Sequence, residues 1–130
     1  MNADLKYNSE FWRAIDMLVQ SSDIKIDRPK GSFHPKYPET KYELDYGYLE
    51  NTASMDGEGI DIWRGSLPDA CVDAIILTVD LLKSDSEIKL LIGCTDEEKE
   101  IVYRFHNESE YMKGILIWRN KNENNLCPGA

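Results

Sequence analysis

Asp73-Ala74-Ile75-Ile76-Leu77-Thr78-Val79-Asp80-Leu81-Leu82 is the most hydrophobic stretch of the chain and is rich in β-branched residues. A short apolar run bounded by turn signals reads as a buried strand. Lys83-Ser84-Asp85-Ser86-Glu87 supplies a tight turn, and Ile88 to Ile92 returns as the hairpin partner. Upstream, Ile60 to Trp63 is a short strand, Tyr42 to Leu49 alternates with β-favouring aromatics, and Ile24 to Asp27 alternates apolar with charged residues. Arg28 to Ser32 is a turn, and His34 to Thr40, with two prolines, is a loop. Further upstream, Phe11, Trp12, Ile15, Leu18 and Val19 recur at helical spacing behind Ser9 as N-cap, with Arg13, Asp16 and Gln20 on the other face. Downstream, Thr95-Asp96-Glu97-Glu98 has capping-box spacing and opens a second helix that turns Ile101, Val102 and Phe105 inward. Gly114 to Arg119 is a last strand, and residues 120–130 form a polar tail. Strands dominate, so the expected class is α+β, mainly β: a small barrel-like sheet with two flanking helices.

The 130 residues suit one domain, 1–130, and 42% hydrophobic residues with three tryptophans are enough to fill a core. A net charge of −9 argues against nucleic-acid binding, which runs on phosphate neutralisation by Lys and Arg. The longest apolar run falls far short of the ~20 residues that span a bilayer. The polar, acidic N-terminus does not read as a signal peptide. Three cysteines without CxxC spacing indicate neither a disulfide framework nor a zinc cluster; Cys71 and Cys94 read as small buried hydrophobes and Cys127 as a tail thiol. A cytoplasmic protein is expected.

Asp56, Glu58 and Asp61 fall at i, i+2 and i+5 with Gly57 and Gly59 between them. The glycines allow a tight turn, so the three carboxylates can converge on one point. Convergent hard oxygens suit Mg²⁺ or Mn²⁺; a solvated acidic loop fits the same spacing. An EF-hand is excluded because its third ligand position falls on Ile60. A second acidic pair, Asp85 and Glu87, precedes Lys89, and Lys25 and Asp27 share one strand face by period two. An acidic protein binds a phosphate-bearing anion where metal ions invert the local field, and the pattern suits metal-assisted phosphoryl transfer to water. His34, beside Pro35, faces solvent or touches phosphate; His106, at a helix C-terminus, would support that end when protonated.

Tyr42-Glu43-Leu44-Asp45-Tyr46-Gly47-Tyr48, then Thr52, then Met55-Asp56-Gly57-Glu58-Gly59-Ile60-Asp61-Ile62 resembles the soluble (family I) inorganic pyrophosphatases, whose signature is D-G-D-P-x-D-V. The resemblance runs from about Ile24 to Leu91. It implies a five-stranded OB-like barrel with helices, Mg²⁺ as cofactor, pyrophosphate as substrate and homo-oligomers, hexameric in bacteria. By position it implies that Asp56, Glu58 and Asp61 hold metals, with Glu58 as general base and Tyr46 beside the attacking water. Asp27, Asp85 and Glu87 match further metal-binding acids; Lys25, Lys89, Tyr42 and Lys36 match substrate-binding positions, with Arg28 or Lys30 as alternatives to Lys36. The chain departs from the family at Glu58, in place of Asp, and at Gly59, in place of Pro. Glu108-Ser109 stands where the family has a Tyr-Lys pair. The resemblance therefore carries two functional expectations. One is Mg²⁺-dependent hydrolysis of inorganic pyrophosphate. The other is a catalytically impaired module that binds pyrophosphate, a nucleotide or a divalent metal.

Overall fold

In the computed structural model, residues 2–54 and 57–120 are described, with side chains from residue 7 onwards. The order of elements is α1 (Asn2–Gln20), β1 (Ile24–Arg28), β2 (Asp45–Leu49), β3 (Ile60–Arg64), β4 (Val72–Asp80), β5 (Asp85–Ile92), α2 (Asp96–Phe105) and β6 (Met112–Trp118). The strands make one sheet in the order β1-β2-β3-β5-β4-β6. Only β3 and β5 pair in parallel; the other neighbours are antiparallel.

Period-two alternation divides this sheet between two cores. Leu49, Ile62, Ile75, Leu90 and Ile92 face α1, which lays Trp12 and Val19 on them. Trp63, Ala74, Ile76 and Leu91 face the other way, towards Val102 of α2 and towards Tyr42 and Leu44 of the segment before β2. Thr95 caps α2 as its sequence requires: the Thr95 hydroxyl accepts from the Glu98 amide, and Glu98 Oε1 accepts from the Thr95 amide at 2.8 Å. Gly47, central in β2, has its Cα packed against the Lys25 carbonyl of β1, where a Cβ has no room.

The α+β, mainly-β class and the flanking helices hold, with three differences of detail. The sheet has six described strands and is open, with β1 and β6 as its ends, so it is not a closed five-stranded barrel. Helix α1 runs from Asn2, which puts Ser9 inside it. The β4–β5 turn occupies residues 81–84, with Ser84 in the left-handed region at φ 56°, so Asp85 and Glu87 belong to β5.

Other differences lie in side chains. Asp16 is on the buried stripe of α1 with Trp12 and Val19, because Arg119, just past β6, clasps it with two bonds of 2.9 and 2.8 Å. Cys94 is free and buried, whereas Cys71 is disulfide-bonded.

Candidate functional site

Alternation along β2, β3 and β5 places Tyr46, Asp61, Glu87 and Lys89 on the same face as Trp63. The Tyr46↔Trp63 and Trp63↔Leu91 registers bring them alongside one another. The Lys89 ammonium is 2.8 Å from Asp61 Oδ2, 2.9 Å from the Tyr46 hydroxyl and 3.3 Å from Glu87 Oε1. Tyr46 donates its own proton to Asp61 Oδ2 at 2.7 Å. Lys89 is 4% exposed, while the Asp61 and Glu87 side chains keep 30% and 18% of their surface. One buried cation thus faces two carboxylates that still reach solvent.

These contacts fix the protonation states. Burial works to discharge the Lys89 ammonium, but the Tyr46 oxygen and the Asp61 carboxylate outweigh it and hold the pKa above the ordinary lysine value. Burial raises the Tyr46 phenol, and Asp61 adds to that against the opposing charge of Lys89, so the phenol keeps its proton.

Behind Tyr46, the Trp63 indole donates to His106 Nε2 at 3.1 Å. That bond requires an unprotonated Nε2, so the proton sits on Nδ1, 3.3 Å from Met112 Sδ. Burial, reinforced by the Lys89 charge, pushes the His106 pKa down to about 3. The imidazole is neutral, and the expected role as a charged helix-end group gives way to a core one.

A β-bulge at Asp27 sets the second part of the site. Ile26 pairs with Gly47 and Arg28 with Tyr46, so Asp27 is the extra residue. The bulge turns Arg28 towards Tyr42, whose hydroxyl accepts a hydrogen bond from the guanidinium. Period two from Lys25 would instead have aimed Asp27 that way.

The sequence-derived residues therefore divide. Tyr46, Asp61, Glu87 and Lys89 meet in one cluster, and Tyr42 packs against Tyr46 with ring centroids 5.4 Å apart. Asp85 shares the strand face of Glu87 and Lys89, in register with Asp80 across the hairpin. Lys25 and Asp27 are exposed on β1, and Lys36 is exposed in its loop. Glu58 is exposed in a bend whose carbonyl accepts from the Ser54 amide at 2.7 Å. Asp56 lies outside the described residues. The Trp63–His106 pair is a further component of the site; the only hint in the sequence was Trp63 two residues beyond Asp61 on a strand.

Solved structures share this architecture. The inorganic pyrophosphatase of Helicobacter pylori superposes with a TM-score of 0.53 at 14% identity, over 75% of this chain and 83% of that one. The fold is pyrophosphatase-like. An inorganic phosphatase from Anaplasma phagocytophilum superposes with a TM-score of 0.51 at 13% identity, over 75% of this chain and 82% of that one. No protein-family model and no curated protein matches the chain in sequence.

Within this pyrophosphatase-like fold, the described residues include no group of three or more acids, histidines or cysteines arranged to hold a metal ion. They do include the paired carboxylates Asp61 and Glu87. Both Asp61 donors, Lys89 and Tyr46, converge on Oδ2. Mg²⁺ is commonly held by one or two carboxylates together with substrate phosphate oxygens rather than by an all-protein cage, and this donor set is of that type. No helix among the described residues is long and apolar enough to cross a membrane.

Proposed function

We propose that the protein hydrolyses inorganic pyrophosphate in a Mg²⁺-dependent reaction, with Mn²⁺ as the alternative ion. The observation that carries this reading is the meeting of Asp61, Glu87, Lys89 and Tyr46, drawn from three strands, in a pyrophosphatase-like fold. Asp61 and Glu87, with Asp56, Asp85 and Asp27 as further candidates, would hold the ion. When bound, it neutralises phosphate charge and acidifies a water. Lys89 acts as a fixed point charge for a phosphate oxygen. Tyr46 keeps its proton and orients Asp61. Arg28, held against Tyr42, extends the positive field, and Lys25 and Lys36 are the outer cations on the same reading. Glu58 accepts the proton of the attacking water. Self-association is part of the proposal, supported by Ile115, Ile117 and Trp118, which leave β6 exposed at the sheet edge.

Phosphate release from pyrophosphate, with and without Mg²⁺, tests the reading. Release should require the ion and fall on the order of 100-fold or more in Asp61→Asn. Undiminished release under chelation overturns it.

A second reading, a module that binds the anion without turnover, is favoured by the solvent-exposed position of Glu58. Saturable pyrophosphate binding without phosphate release would select it.

A further inference from the structure

The segment between β1 and β2 is held by backbone bonds. The Gly31 amide donates to the Tyr42 carbonyl at 2.7 Å, the Tyr42 amide to Ser32 at 2.8 Å and the His34 amide to Thr40 at 2.9 Å. This fixed loop carries a run of rings inwards. Tyr37 lies 4.8 Å from His34, His34 lies 6.3 Å from Tyr42 with planes 16° apart, and Tyr42 lies 5.4 Å from Tyr46. Tyr46 bonds Lys89, so the run ends on the buried ammonium. Its outer member, Tyr37, is 55% exposed.

Cations flank the run. The Arg28 guanidinium lies 5.5 Å from the Tyr42 ring centroid, and the Lys36 amide donates to His34 Nδ1 at 3.0 Å. His34 has its pKa lowered by burial and then by the positive charges of Arg28, Lys36 and Lys83. Arg28, Lys36 and Lys83 therefore act on His34 from the end of β1, the loop and the β4–β5 turn, among acids such as Asp27 and Asp45. Fixed cations of this kind attract a phosphate oxygen locally in a chain whose net charge is −9.

A bare phosphate chain uses the cations and leaves the exposed Tyr37 ring idle. A ligand that carries a base uses both. We propose that the site also takes a nucleoside 5′-triphosphate, its base stacked on Tyr37 beside His34 and its phosphates running past Arg28 towards Lys89. The inference rests on the phosphoanhydride reading above and names a substrate class for the same site. Base–aromatic stacking tolerates every base, and the fixed loop presents its platform already ordered.

Calorimetric titration of the full chain with the Mg²⁺ complexes of pyrophosphate, tripolyphosphate and ATP tests it. Tripolyphosphate carries more charge than ATP, so electrostatics alone ranks it first. Stacking reverses the order, and ATP should bind tighter on the order of 10-fold. That preference should vanish in Tyr37→Ala and persist in Tyr37→Phe. Because Tyr37 is largely solvent-exposed, both variants should fold. Tripolyphosphate bound as tightly as ATP overturns this inference alone, as does a preference that survives Tyr37→Ala. Failure to bind any of the three overturns the phosphoanhydride reading as well. Pyrophosphate bound but not cleaved counts only against hydrolysis.

Discussion

Replacing Lys89 with methionine keeps the length and most of the apolar stem of the side chain but deletes the charge. Lys89 is 4% exposed, and its ammonium makes three contacts, of 2.8, 2.9 and 3.3 Å. Removing one partner of a fully buried ion pair costs about 3–5 kcal/mol, because the other charge is stranded. Asp61 and Glu87 are 30% and 18% exposed, so water takes over part of the lost interaction. The expected loss is therefore nearer ~2–3 kcal/mol. For a chain of 130 residues this corresponds to a drop in Tm of about 7–11 °C. Urea unfolding at pH 7 reads the loss directly. If the penalty comes from a stranded Asp61, the double variant Lys89→Met/Asp61→Asn should be less destabilised than the sum of the single variants by at least ~1 kcal/mol. Additive losses, or a Lys89→Met protein as stable as the parent, would refute the account of Lys89 as the counter-charge that holds this cluster together.

Arg119→Ala should cost about 3–5 kcal/mol in urea unfolding, since it strands Asp16, which is 1% exposed. His106 titrates at about 3 in the fold against 6.5 for a free imidazole, with burial the main cause. The unfolded chain therefore binds the extra proton first. Its contribution to stability is complete above pH 6.5 and is lost as the pH falls from there towards 3, by up to about 1.4 kcal/mol per pH unit. His106→Gln should flatten that part of the stability profile. Glu98 has its pKa lowered: burial opposes the shift, but bonds from Thr95 and Ser66 outweigh it. Its contribution is present above the ordinary value of 4.5 and is lost as the pH falls through the lower folded value. Glu98→Ala should cost about 1 kcal/mol at pH 7, and circular-dichroism melts should show the difference shrinking in acid. Gly47→Ala drives a Cβ into the Lys25 carbonyl and should cost about 1–3 kcal/mol, or separate β1 from β2.

The fold was legible where local signals agreed with packing. The Thr95–Glu98 box opened α2 where its spacing required, and the alternation of Ile24–Asp27 and Tyr42–Leu49 located β1 and β2. Where tertiary contacts decide, the pattern misled. Asp16 sits on an apolar stripe only because Arg119, 103 residues away in sequence, neutralises it. The left-handed Ser84 shortens the hairpin turn, which no residue of Lys83–Glu87 announces, since serine rarely takes that conformation. At the site, Tyr46, Glu87 and Lys89 were named through the family resemblance and Asp61 through its spacing to Asp56 and Glu58; the structure brings the four to one face of β2, β3 and β5. Arg28 was only one of several candidate cations, because its orientation depends on a bulge, and a bulge breaks the periodicity being read. Trp63–His106 could not be read, because helix and sheet meet there across 43 residues of sequence.

Two donors on a single carboxylate oxygen bear on whether the cluster can still work as a site. Lys89 and Tyr46 both end on Asp61 Oδ2, and Oδ1 has no partner among the described residues. An oxygen held from behind by an ammonium and a phenol is fixed in position, and fixed position is what a small, geometrically demanding ion or a phosphate-bound water needs. The contacts that neutralise Asp61 thus orient it rather than consume it. The turn carrying Glu58 is constrained too: the Ile60 amide donates to Thr52 Oγ1 at 3.0 Å, and Gly59 lies so close to the Leu49 carbonyl that a Cβ would come within 2.7 Å of it. Glycine at this position is therefore a packing requirement, which accounts for its standing where the signature that the stretch resembles has proline. On the proposed reading, hydrolysis then asks of Glu58, a methylene longer than aspartate, that it accept a proton from this anchored turn, whereas binding of the anion asks nothing of it.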